Sequence, residues 1–209
     1  MKTPALTKPV LALFVIALLT LQGCGTPVPF QYSYQPSGIT PAFTLEDARP
    51  AADLGAKSLS LIITSDNYGI FRLADNEVQP DKIQFLRDSL SRQQQRLPAS
   101  SSIVVRRFAV YNNLQQVIKR NNNIGFLTGP LGVAGDISLN PGQLPAAIMA
   151  ELEFTLAAAS TSPATCQAKT GVPYVVDKKT GPNRAEVENA ILAAMQQVIE
   201  LALQSCLPE

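Results

Sequence analysis

Apolar residues fall at every second position from Ala147 to Ala157, with Leu152, Phe154 and Leu156 on one side and Glu151, Glu153 and Thr155 on the other. That period predicts a half-buried strand. A period of three to four governs the C-terminal segment. Val187, Ile191, Ala194, Met195, Val198 and Ala202, widened by Ile199 and Leu203, make one face of a helix from about Arg184 to Ser205. Asn183 is its predicted N-cap, and Glu186 stands at the capping-box position.

Weaker patterns fill in the order. Lys57–Thr64 alternates and predicts a strand with Leu59, Leu61 and Ile63 on one face, and Tyr68–Leu73 predicts a short second one. Pro80 and Asp81 open a predicted helix to about Arg96, with Ile83, Leu86, Leu90 and Leu97 in line. Ser102–Val110 is rich in β-branched residues and predicts a strand, Leu114–Arg120 a short helix. Thr165–Val176 predicts the hairpin partner of the 147–157 strand, at an edge or a bulge because of Gly171 and Pro173. Strands gathered into hairpins, with two packed helices, predict an α+β fold. The expected architecture is a two-layer sandwich of a mostly antiparallel sheet packed by two helices, the longer one C-terminal.

Two stretches lack a period. Gly25–Asp53 holds Pro27, Pro29, Pro36, Pro41 and Pro50, which predicts an extended tether with at most a short edge strand around Tyr32 and Tyr34. Gly125–Pro145 is longer than an ordinary loop. Its Gly129, Gly132 and Gly135 form GxxGxxG, which matches neither the dinucleotide fingerprint nor a P-loop. Phe126, Leu127, Leu131 and Val133 point instead to packing in the domain's own core, or to contact with a membrane or a partner.

The first residues have the parts of a secretory signal. Lys2 and Lys8 are basic, Val10–Leu19 is apolar and continues through Thr20 and Leu21, and Gly23 and Gly25 break the run. The apolar run is short of the roughly 20 residues of a spanning helix. Leu21-Gln22-Gly23-Cys24 resembles the lipobox of bacterial lipoproteins. The resemblance implies that Cys24 is the first mature residue, with a diacylglyceryl thioether on its sulfur and an acylated amino terminus. Gly25 rather than Asp follows, which by the sorting rule of enteric bacteria implies the outer membrane, facing the periplasm, with the inner membrane as the alternative. An ordinary cleaved signal is the other reading. The expected divisions are a signal peptide over 1–23, lipidated Cys24 and tether over 24–55, and the globular domain over 56–209.

Charge and composition narrow the chemistry. The chain has 209 residues with a formal net charge of +1, and loss of Lys2 and Lys8 brings the mature balance to about −1. No nucleic-acid partner is expected. Arg106-Arg107 and Lys119-Arg120 read as solvated edges. Histidine and tryptophan are absent, which removes the usual general base and imidazole metal ligands. With Cys24 lipidated, Cys166 and Cys206 remain of the three cysteines. In an oxidising compartment they predict one disulfide; two unpaired buried thiols are the alternative. No metal, cofactor or catalytic residue is expected. Glu151 and Glu153 read as a wet sheet face, and Asp66, Asp75 and Asp136 as turn residues.

Beyond the lipobox, the element order resembles small periplasmic lipoproteins of the YajG-like and transport-auxiliary kind, which join a tether to an α+β domain ending in a long helix. The glycine-rich 125–145 stretch departs from that arrangement. The resulting expectation is a non-enzymatic accessory or assembly factor of a cell-envelope or transport complex, held to the membrane by lipid and bound to an envelope protein. The alternative is a lipoprotein that holds a lipid or small apolar ligand between sheet and helix. Hydrolase activity is a third expectation, one that would hang on a single carboxylate.

Overall fold

Strands β7 (Gln143–Ala158) and β8 (Thr161–Asp177) pair antiparallel from Gln143↔Asp177 to Ala158↔Thr161, and helix α4 (Arg184–Cys206) lies across them. The computed structural model describes residues 28–122, 142–158 and 161–207. The signal segment, Cys24, Asp136 and the GxxGxxG glycines lie outside the described residues, as do the side chains of Lys119 and Arg120.

Alternation in β7 is clear from Ala150 to Leu156, while Ala147 and Met149 are buried on the opposite face as well. Leu144, Ala146, Ile148, Ala150, Leu152, Phe154 and Leu156 are all buried, while Glu151, Glu153 and Thr155 are half-buried on the other face. The eight α4 positions predicted as one stripe are all buried too, with Ala190 added. Asn183 caps the helix by accepting the Ala185 N–H at 3.0 Å, a partner one residue earlier than the Glu186 position of a capping box. Each fully buried aliphatic here is worth about 1.5–3 kcal/mol against exposure.

The sheet continues through β6 (Ser102–Asn112), antiparallel to β7, with a bulge between Val105 and Arg107. The far edge of β6 is shared. Strand β2 (Thr44–Asp47) runs parallel to its first residues, from Thr44↔Ser102 to Asp47↔Val105. Strand β4 (Phe71–Arg72) is antiparallel to its last, Tyr111 and Asn112. Two-residue strands finish the borders: β3 (Lys57–Ser58) on β4, and β9 (Gly181–Pro182) on the end of β8. Pro173 is accommodated because, among the described residues, β8 has no partner on its outer side there. Helix α2 (Lys82–Arg92) lies beside α4 and contributes Phe85, Leu86 and Leu90 to the same core. Asp81 caps it, accepting the Gln84 N–H at 2.9 Å. A 3₁₀ turn, Gln94–Arg96, replaces the last predicted helical turn. Helix α3 (Leu114–Asn122) packs on the start of β7. The fold is α+β, with a curled, mostly antiparallel sheet and the longest helix C-terminal.

Two expectations are corrected. From residue 28 onward the proline-rich stretch is part of the domain. Strand β1 (Phe30–Gln31) runs parallel to β5 (Val78–Gln79). The Tyr32 and Tyr34 rings pack on Phe85 with centroids 5.7 and 5.0 Å away. Ser37 donates both its N–H and its hydroxyl to the Asp88 carboxylate, and β2 then joins the sheet. A short helix, α1 (Ala51–Leu54), closes the segment. The prolines keep it extended, and extension lets it cross the helical layer as a strap.

The predicted strand over Lys57–Thr64 stops at Ser58. Strand β4, its partner, is only two residues long. Among the described residues Leu61, Ile62 and Ile63 therefore join no ladder, and they are 87%, 67% and 70% exposed.

Candidate functional site

Arg49 follows directly from β2 and turns inward where β6 bulges. Its guanidinium meets Asp47 (Nε–Oδ1 2.8 Å, Nη2–Oδ2 2.8 Å), Asp75 (Nη2–Oδ2 2.6 Å) and the Phe108 carbonyl (3.3 Å). Lys82, in the first turn of α2, is fully buried. Its Nζ donates to the Leu73 carbonyl at 2.8 Å and pairs with Asp75 Oδ1 at 2.8 Å. Two buried cations thus share two part-exposed carboxylates. Burial lowers the Lys82 pKa, with Asp75 offsetting part of that. Hydrogen bonds from Arg49 hold the Asp47 carboxyl below its ordinary value of 3.8. Asp75 is therefore corrected from a turn residue to the carboxylate that joins both cations. Every group in the cluster is consumed by a protein partner, an arrangement that holds structure together.

On the sheet's other face Glu151 pairs with Arg107 at 3.1 Å and Lys169 at 2.9 Å. The Arg107 pKa is raised, first by its hydrogen bond to Glu151. Glu153 lies one pair along, opposite Arg107 and Gln167. The two carboxylates do share a face, and Glu151 is held between two cations there. Arg106 is the exposed residue of the bulge.

Cys166 and Cys206 form a disulfide that joins β8 to the last turn of α4 across a separation of 40 residues, with Cα atoms 5.0 Å apart. Tyr174, buried on β8, donates to Asn112 Oδ1 at 2.8 Å, and burial pushes its pKa up to about 12. Between sheet and helix, Phe108, Ile148, Leu152, Phe154, Ile191 and Met195 are each essentially inaccessible, so side chains fill that layer. An open cleft of about 710 Å³ lies outside it, where Gln143, Asp177, Asn183 and Glu186 meet at the start of α4. Backbone N–H groups of Thr180 and Lys179 hold the Asp177 carboxyl below its ordinary value.

The loop between β3 and β4 is the feature that sequence reasoning missed. Ser60 bridges Tyr68, the Ser65 N–H donates to Ile62 O, and the Tyr68 N–H donates to Ser65 O. Its base is tied to α3: the Gln116 N–H donates to Gly69 O at 3.1 Å, and the Gln116 side chain donates to Asp66 O. Gly69 has φ +82°, and a Cβ there would meet the Gln116 backbone nitrogen at 2.5 Å. The tip is thus presented on a fixed base. An uncharged run of three aliphatics, misread as strand, was the available signal.

Among the described residues no group of three or more potential ligands could hold a metal, and no helix is long and apolar enough to cross a membrane. No family model, curated protein or solved structure matches the chain.

Proposed function

We propose that this protein is a lipid-anchored envelope lipoprotein, attached through Cys24 and facing the periplasm from the outer membrane. In this reading it serves as a non-enzymatic accessory or assembly factor for an envelope or transport complex. The carrying observation is the Leu21-Gln22-Gly23-Cys24 motif, which ends four positions before Val28. The Cys166–Cys206 disulfide is in keeping with an oxidising compartment. Support for a binding rather than a catalytic role comes from the charged clusters, whose members neutralise one another in ion pairs. The filled sheet–helix layer favours an external protein partner over an internal apolar ligand.

Labelling with a fatty-acid analogue tests the anchor. Wild-type protein is expected to carry label and acyl mass on Cys24, while Cys24→Ala gives an unlabelled soluble domain or an unprocessed precursor. A native chain that begins at Met1 defeats the proposal. Crosslinking followed by purification from solubilised membranes tests the role: recovery of no stoichiometric protein partner counts against it.

A further inference from the structure

We propose that one end of the domain rests on the bilayer, with Leu61, Ile62 and Ile63 seated among the headgroups and upper acyl chains. This depends on the lipid-anchored reading and adds to it an orientation and a second membrane contact.

Register puts the loop tip and the chain's entry at the same end of the sheet. Phe71 pairs with Asn112, and Asn112 with Ile148, near the beginning of β7. The β3–β4 loop extends beyond that level. Gln143, five residues further along β7, pairs with Asp177, which pairs with Gly181 just before α4. Arg184, the first residue of α4, donates to the Val28 and Pro29 carbonyls, and the Gln31 N–H donates to Glu188 at 3.0 Å. Residue 28 is therefore fixed beside the helix N-terminus, at the end where the loop projects. The strap then leads away, along α2 and down to the opposite end at Ser102.

The leash decides the occupant. Three residues lie between Cys24 and Val28, and the four steps from one Cα to the other span at most about 14 Å when extended. Acyl chains on Cys24 would hold this end within that distance of the lipid, with no room for a spacer. A fixed loop at that end, with tip side chains 87%, 67% and 70% exposed and no charge from Leu59 to Thr64, meets the requirement for shallow apolar insertion. Val28 is itself 68% exposed there. The tip offers no charge or buried polar group through which a protein partner would be specified.

The test uses the full acylated chain in phosphatidylethanolamine/phosphatidylglycerol vesicles that contain no other protein. A polarity-sensitive fluorophore is placed at Ile62→Cys, or at Ala99→Cys near the opposite end, with the native disulfide left intact. Both positions are exposed, so neither variant threatens folding. The label at 62 is expected to shift to the blue, to be quenched by shallow spin-labelled lipids, and to be several-fold less accessible to aqueous iodide than the label at 99. Leu61→Ser/Ile63→Ser is expected to remove that difference. If acyl mass is present on Cys24 and the label at 62 is as iodide-accessible as that at 99, this inference fails and the anchor stands. A chain without acyl mass on Cys24 overturns both.

Discussion

Arg49 donates to the Phe108 carbonyl at 3.3 Å, in the stretch of the β6 edge that lies between β2 and β4. Ala48 N–H still reaches Val105 O, and Leu73 N–H reaches Val110 O. The guanidinium takes up an acceptor between the two strands, and its charge is matched by Asp47 and Asp75. One side chain thus bridges the gap that β2 and β4 leave between them on this edge of β6.

Arg49→Met removes the cation that Asp47 and Asp75 share and leaves the Phe108 carbonyl without this donor. The expected loss is about 3 kcal/mol, within the range for breaking a buried pair. Arg49→Lys keeps the charge but not the fork, and about 1–2 kcal/mol should go. Urea unfolding with tryptophan-free probes such as far-UV circular dichroism measures both. Equal stability of wild type and Arg49→Met would remove the cluster's structural role.

Acid should weaken the fold through Asp47. Its folded pKa lies below the ordinary 3.8, first because of the Arg49 hydrogen bond. A depressed carboxylate pKa contributes stability above its unfolded value and loses it as pH falls through the folded value. The thermal midpoint is therefore expected to drop below about pH 4. Asp47→Asn should flatten that limb, and an unchanged acid slope in the variant contradicts this account.

Replacing both Cys166 and Cys206 by alanine releases a loop of 40 residues. Chain entropy alone puts the loss at about 3–4 kcal/mol. Because the Cys166 side chain is buried, reductant should act only after the end of α4 opens. Reduction is expected to be slow in buffer and to accelerate in urea, as read by thiol titration.

Gly69→Ala should release the β3–β4 loop from α3. A positive φ and a Cβ contact of 2.5 Å with Gln116 backbone leave no unstrained solution. Strain of this kind costs on the order of 1–3 kcal/mol. Amide exchange at Gln116 is the direct measure, expected to quicken there while the β7–β8 amides keep their protection.

The elements legible in the sequence are those whose burial is settled locally. Leu152, Phe154 and Leu156 alternate with polar neighbours because one face of β7 is covered. The α4 stripe repeats at helical spacing because one side of that helix meets the sheet. The even cysteine remainder gave the disulfide in the same direct way. Contacts between distant segments left no comparable trace. Thr44 pairs with Ser102 in parallel, and Arg49 meets Asp75 across 26 positions; neither relation has a period to read. Prolines that suggested a free spacer instead keep a strap straight. Alternation at Leu59, Leu61 and Ile63 reads as a strand because nothing local reveals that its partner, β4, ends after two residues.

The strap also sets an order of assembly. Residues 28–47 leave a ribosome or a translocation channel before any surface they dock on: Phe85, Asp88, Ser102 and Glu188 all follow. This segment has no sheet to complete until β6 exists, and the start of α4 must arrive before Gln31 can bind Glu188. The strap is synthesised first and locked last, so a chaperone that shields Phe30, Tyr32 and Tyr34 during that interval would act on core-packing residues that wait longest for their partners.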